Sequence, residues 1–193
     1  MRATISPEDW LRKSGAQGDV IEGLARFADW HALWRECPRG DWLLGIAERL
    51  GAPHDALVRA AIACARVVEG DEEALAVLDL AERWAEGRAT AAEVAAATRS
   101  LEQASARAVD PSREAANRAA LAVGLGIDDR GVLTAAPAAA AESVMVASID
   151  CGFELAMRWA HDKCAAAVRE AVPWSVFEAC VTQIDGQPRG GSR

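Results

Sequence analysis

Alanine is by far the commonest apolar residue of this chain, with 44 of the 99 apolar residues. Hydrophobic residues make up 51% of the sequence, yet it contains no Tyr and only three Phe. Alanine is the best helix former, because its side chain loses no rotamer freedom and does not crowd the preceding turn. Long β-branched runs with alternating polarity, which would indicate strands, do not occur in the sequence. The composition therefore predicts an all-α protein.

The length of 193 residues is sufficient for one well-filled domain. Helical periodicity predicts a multi-helix bundle of antiparallel helices with short connections. We expect residues 1–185 to form this single domain, in which a Trp-rich N-terminal subdomain (residues 1–51) caps an Ala-rich bundle (residues 52–185). Residues 186–193 are expected to form a flexible tail.

Capping residues mark several helix starts. Ser6 precedes Pro7, Thr90 is followed by Glu93 in a capping box, and Asp110 precedes a further proline. A second helix is expected to run from near Asp19 towards Trp30.

The C-terminal region predicts one long helix from Thr134 to about Ala171. A helix of that length would span about 50 Å at 1.5 Å per residue, so we expect a kink near Gly152. Its apolar stripe would comprise Val146, Ile149, Phe153, Ala156, Ala160, Cys164, Ala167 and Ala171.

The charge of the chain argues against nucleic acid as a partner. The net charge is −8 and the pI is near 5.0. A nucleic-acid surface needs clustered Lys and Arg, whereas Lys is nearly absent here and the Arg residues are scattered. The sequence has no stretch that approaches a transmembrane span and no signal-peptide pattern, so we expect no membrane association.

The cysteines indicate a reducing cytoplasm. They are odd in number and widely spaced, without a CxxC pair, which favours free and mostly buried thiols over a disulfide framework or a zinc site. The five are Cys37, Cys64, Cys151, Cys164 and Cys180.

The sequence contains no nucleotide-binding, hydrolase, metalloprotease or kinase motif. We therefore predict no catalytic residue, no cofactor and no metal.

Two local groups keep an enzyme open as an alternative. His161 and Cys164 lie three residues apart, so a helix can bring the imidazole and the thiol together. Cys164 falls on the expected apolar stripe, however, which favours a place in the core. Asp150, Glu154 and His161 share a helix face, but the chain lacks the Glu-x-x-His pairs of a four-helix metal site, and an ion pair of Glu154 with Arg158 is the simpler interpretation.

Three of the seven Trp residues lie within thirteen positions: Trp30, Trp34 and Trp42. Such large rings either fill space between the N-terminal helices or form an exposed binding patch, and the first interpretation is favoured. Arg35 and Arg39 beside them can stack on the rings or bind carboxylates of a partner.

The order of segments resembles that of Ala-rich, all-helical immunity proteins of bacterial polymorphic toxin systems. The resemblance covers roughly Trp30 to Val181, and the segments that carry it are LWRECPRGDWLL, LVRAAIACARVV, ALAVLDLAERWAEG and CAAAVREAVPWSVFEACV. It implies a non-enzymatic protein that binds a toxin and occludes its active site.

We therefore expect a protein-binding module whose acidic surface complements a basic toxin. The candidate contact residues are Trp34, Arg35, Arg39, Asp71, Glu72 and Glu73, although the three acids are equally explained as the start of a helix. The alternatives are a structural or adaptor homodimer that packs through Ala-rich helix faces, and a small helical enzyme that uses His161 and Cys164.

Overall fold

The computed structural model describes residues 5–15, 18–107, 110–149 and 152–186. Within these ranges the chain is all-α, as predicted, and contains no strand. The helices are α1 Pro7–Lys13, α2 Gly18–Leu24, α3 Trp30–Glu36, α4 Gly40–Arg49, α5 His54–Ala65, α6 Glu72–Ala85, α7 Ala91–Ser105, α8 Pro111–Leu125, a 3₁₀ helix Arg130–Thr134, α9 Ala135–Ala147, α10 Phe153–Ala171 and α11 Trp174–Gly186.

The predicted caps are formed. Ser6 Oγ accepts a hydrogen bond from the Asp9 N–H at 3.1 Å, and Thr90 and Glu93 make both bonds of a capping box. The expected helix from Asp19 to Trp30 is wrong, because α2 ends at Leu24 and α3 starts anew at Trp30.

The single helix from Thr134 to about Ala171 is also wrong, although the interruption lies near Gly152, where a kink was expected. α9 ends at Ala147 and α10 begins at Phe153, and Gly152 between them has a φ of +97°, a conformation that favours glycine. The break resets the helical rotation, so the expected stripe does not continue through it. Cys164 is buried as predicted, whereas Ile149 and Phe153 are 69% and 43% exposed.

α5 lies at the centre of the bundle. It contacts α4, α6, α8, α9 and α10, and eight of its twelve residues are buried. The Ala-rich faces of α8 and α9 pack against each other, and the two helices are also joined by serines: Ser143 Oγ donates to the Ser112 carbonyl at 2.8 Å and Ser112 Oγ donates to the Ser143 carbonyl at 3.1 Å. These small-residue faces are therefore used inside the chain.

The tryptophans of α3 pack against the C-terminal helix α11. Trp30 and Trp34 are only 4% and 3% exposed, and the Trp34 ring stacks on Phe177 of α11 with 4.0 Å between ring centres. Trp30 Nε1 donates to the Ile5 carbonyl at 2.8 Å. One hydrophobic core runs from the N-terminal helices to α11, across the expected subdomain boundary after residue 51.

Two further expectations concern the chain as a whole. Residues 187–193 of the expected tail lie outside the described residues, and Gly186 is the last residue of α11. None of the described helices is both long and apolar enough to cross a membrane.

Candidate functional site: exposed faces and one cleft

The predicted contacts Trp34 and Arg35 lie side by side on α3 but in different surroundings. The Trp34 ring fills the space between α3 and α11, so the expectation that it contacts a partner is wrong and it is a core residue. Arg35 is exposed and forms an ion pair with the adjacent Glu36. Of Trp34 and Arg35, only Arg35 is presented to solvent.

Arg39 is held by its own chain. Its Nε donates to Asp41 Oδ1 at 2.8 Å, and its guanidinium carbon lies 4.6 Å from the centre of the Trp42 ring. The Asp41 side chain is 15% exposed and that of Arg39 is 36% exposed. Arg39 therefore braces the start of α4, and only part of its side chain remains available to a partner.

His161 of α10 faces this ion pair. Its Nδ1 lies 3.7 Å from Asp41 Oδ1, beyond hydrogen-bond distance, and this buried nitrogen has no hydrogen-bond partner among the described residues. Burial lowers the pKa of His161 below its ordinary value, and the Asp41 carboxylate opposes that shift. The arrangement favours a neutral imidazole at neutral pH.

Cys164 faces a different neighbour. Its thiol lies against α5, where Cys64 Sγ donates to the Cys164 carbonyl at 3.6 Å. Both cysteines are 0% exposed. The hydrogen bond with Cys164 and burial hold the pKa of the Cys64 thiol well above its ordinary value. Although His161 and Cys164 are three residues apart, they do not present a nucleophile and a base at one accessible surface.

The described cysteines are Cys37, Cys64, Cys164 and Cys180, and all four are free and buried, as predicted. Cys151 lies outside the described residues.

A cleft of about 490 Å³ lies beside the Arg39–Asp41 pair. It combines apolar residues from the N-terminal helices and α9 with charged residues of α4, and periodicity cannot reveal it because these segments are far apart in sequence. Its lining includes Leu11, Val20, Ile46, Ala138, Glu48 and Arg49. The cleft is large enough for a partner's side chain or a small ligand.

Asp71 joins two helices. Arg113 Nη1 and Asn117 Nδ2, both from α8, donate to its carboxylate at 2.8 and 2.7 Å. The Asp71 N–H donates in return to Asn117 Oδ1 at 3.1 Å. The hydrogen bonds from Asn117 and Arg113 lower the pKa of Asp71. Asp71 thus ties the start of α6 to α8, while the predicted contacts Glu72 and Glu73 are exposed.

α6 presents an acidic face to solvent. Five of its exposed residues, the last of them the C-cap, recur every three or four positions, which places them on one side of the helix. Arg66 of the preceding segment donates to two of these carboxylates, at 2.9 Å to Asp79 and 2.7 Å to Glu82. Leu75, in the same row, is 49% exposed. We call this the α6 acidic face: Glu72, Leu75, Asp79, Glu82 and Glu86.

α10 presents an apolar face that the sequence interpretation missed. Leu155 and Trp159 are 70% and 49% exposed, and the Lys163 ammonium lies 5.8 Å from the centre of a Trp159 ring. The expected stripe was carried into α10 from the preceding helix, which directed attention to Phe153. The face could have been recognised from the spacing of Leu155 and Trp159, which lie four residues apart and do not belong to that stripe.

The metal interpretation gains no support from the described residues. No group of three or more His, Cys, Asp and Glu side chains within them could hold a metal ion. Asp150 lies outside the described residues, and the expected ion pair between Glu154 and Arg158 is not formed.

Comparison of the chain with protein-family models, with curated proteins and with solved structures found no match.

Proposed function

We propose that this protein is a non-enzymatic protein-binding module that holds a basic protein partner on the α6 acidic face. The observation that carries the proposal is the position of Leu75, which is 49% exposed within a row of carboxylates. An apolar contact surrounded by charged groups is a common arrangement in protein interfaces, because the centre excludes water while the rim remains solvated. Glu73, next to Glu72 in the sequence, is also exposed.

The charge of the chain supports a basic partner. A net charge of −8 attracts a cationic protein at long range and raises its association rate more than its affinity. The resemblance to immunity proteins points to a basic bacterial toxin as this partner, with neutralisation by direct binding in the cytoplasm as the function.

Capture experiments with matched charge variants test the proposal. The face variant is E72K/L75K, and the control is E114K/L125K on α8. Each pair consists of a Glu in the first turn of its helix and an exposed Leu; Leu75 is 49% and Leu125 46% exposed. The two double variants therefore change net charge and apolar exposure by closely similar amounts.

We expect the wild type and the control to capture the same basic protein from a lysate of the source organism, in near-equal amounts by mass spectrometry. The face variant should lose it. Capture that is unchanged in the face variant, or lost equally in both variants, would contradict the role of this face.

A further inference from the structure

The first half of α10 carries exposed apolar surface without a covering element in the described chain. The buried residues of α10 are Ala160, Cys164, Ala165 and Val168, all of which follow Trp159 in the chain. Before them, Phe153, Leu155 and Trp159 expose 43%, 70% and 49% of their surface. Large apolar side chains that are grouped on a protein surface commonly mark interaction sites, whereas single exposed ones do not.

The charges around this face have a defined order. At 100° per residue, Leu155, Trp159 and Asp162 lie on the outward side of the helix, while Glu154 and Arg158 follow each other along one flank. All five are exposed. Glu154 and Arg158 form no ion pair with each other, so both charges remain available to an incoming surface.

This order is complementary to itself when one helix is reversed. If two copies of α10 lie antiparallel about a two-fold axis near residues 156–157, Leu155 of one copy meets Trp159 of the other. Glu154 then lies beside Arg158 of the second copy, and Asp162 approaches the N-terminal end of the second α10, which is the positive end of its dipole. The two-fold axis makes each contact twice. A parallel two-fold pair would instead place the two flanks that carry Glu154 and Arg158 on opposite sides of the interface, so these charges would not meet.

We propose that the exposed face of α10, formed by Leu155 and Trp159 with Glu154 and Arg158 on its flank, binds a second copy of this chain as an antiparallel two-fold dimer. The alternative contact through Ala-rich faces is disfavoured for α8 and α9, because those faces pack against each other inside the chain. The dimer does not depend on the function proposed for α6.

Sedimentation velocity over a range of protein concentrations tests the proposal. The wild type should show a reversible monomer–dimer equilibrium, which W159E should abolish. The matched control is L125E on α8, which introduces the same charge at a similarly exposed apolar position (46% against 49% for Trp159) and should leave the equilibrium unchanged.

Charge reversal tests the antiparallel arrangement itself. E154R and R158E should each raise the dimer Kd about tenfold, since each places two pairs of like charges across the axis. The double variant E154R/R158E should restore the wild-type Kd, because both pairs are formed again with their signs exchanged. All these residues are exposed, so the fold is retained, which circular dichroism checks.

Three results would overturn the proposal: a wild type that is monomeric at every concentration, a dimer that persists in W159E, or a double variant no better than the single ones. None of them bears on the capture experiment with the α6 variants, so the two proposals fail independently.

Discussion

Gly40, the first residue of α4, lies tightly against α10, and replacing it with alanine tests how tightly the bundle is packed. A Cβ at this position would lie 2.5 Å from the Cys164 Cβ, 2.7 Å from the Cys164 carbonyl carbon and 2.8 Å from the Ala165 backbone nitrogen. Two of these three atoms belong to the α10 backbone and cannot rotate away. α4 must therefore move away from α10, although Gly40 itself has no positive φ that would strain an alanine.

The expected cost follows from that displacement. Inserting one carbon into a well-packed contact destabilises a protein by about 1–3 kcal/mol. Alanine recovers only part of this through its better helix propensity, worth up to about 1 kcal/mol over glycine. We expect G40A to lower the free energy of unfolding by about 2 kcal/mol, the middle of the range for overpacking. For a chain of this length that corresponds to a decrease in Tm of about 4–8 °C.

Thermal unfolding followed by far-ultraviolet circular dichroism measures the change. The control is G18A, because Gly18 is also the first residue of its helix, but a Cβ there meets nothing within 4 Å. G18A should be neutral or slightly stabilising. A G40A variant as stable as the wild type, or an equal loss in G18A, would refute the close contact between α4 and α10.

Three further predictions concern buried polar groups. Because burial lowers the pKa of His161, the unfolded chain takes up a proton at this site at higher pH than the folded protein does. The free energy of unfolding should therefore fall as the pH decreases through about 6.5. In urea unfolding, H161Q should show a smaller decrease in this free energy between neutral and mildly acidic pH. N117A removes the hydrogen-bond acceptor of the Asp71 N–H and should lower the free energy of unfolding by about 1–3 kcal/mol. In denaturant unfolding, the double variant D71A/N117A should lose less than the sum of the losses in D71A and N117A, because the two residues share one contact. Arg169 donates to the carbonyls of Trp34 and Cys37 at the end of α3, so R169M should cost about 1–3 kcal/mol in the same assay, and an unchanged midpoint would count against this bond as a stabilising cap.

Local signals in the sequence were enough to predict the helical class and several helix starts. Ser6 and Thr90 cap helices through hydrogen bonds within their own turn, so nothing distant is needed to recognise them. The end of the helix near Gly152 was harder to predict, because a short loop can preserve the helical spacing of apolar residues in the sequence. Only the glycine signals the change, and its φ of +97° ends the rotation on which the stripe was based.

The candidate site depends on contacts between distant parts of the chain. Trp34 is removed from the surface by Phe177 of α11, and Asp71 is engaged by Asn117 of α8. Such partners are determined by the packing of the bundle and leave no trace in the local sequence around either residue. Composition predicted an acidic exterior, but it could not distinguish Asp71, held between two helices, from Glu72, which is exposed.

The distribution of large apolar side chains argues for contact surfaces at particular places. The exposed ones in the described chain are Leu75, Leu125, Ile149, Phe153, Leu155 and Trp159. Four of these six lie between residues 149 and 159, whereas many buried positions are alanines, which let the helices approach closely. The other large rings Trp30, Trp34 and Phe177 are buried in the core, so the exposure of Leu155 and Trp159 departs from the pattern of this chain. Their position is therefore better explained by a surface that covers α10 than by the stability of the monomer, whereas Leu125, at the end of α8 and outside both proposed faces, requires no such explanation.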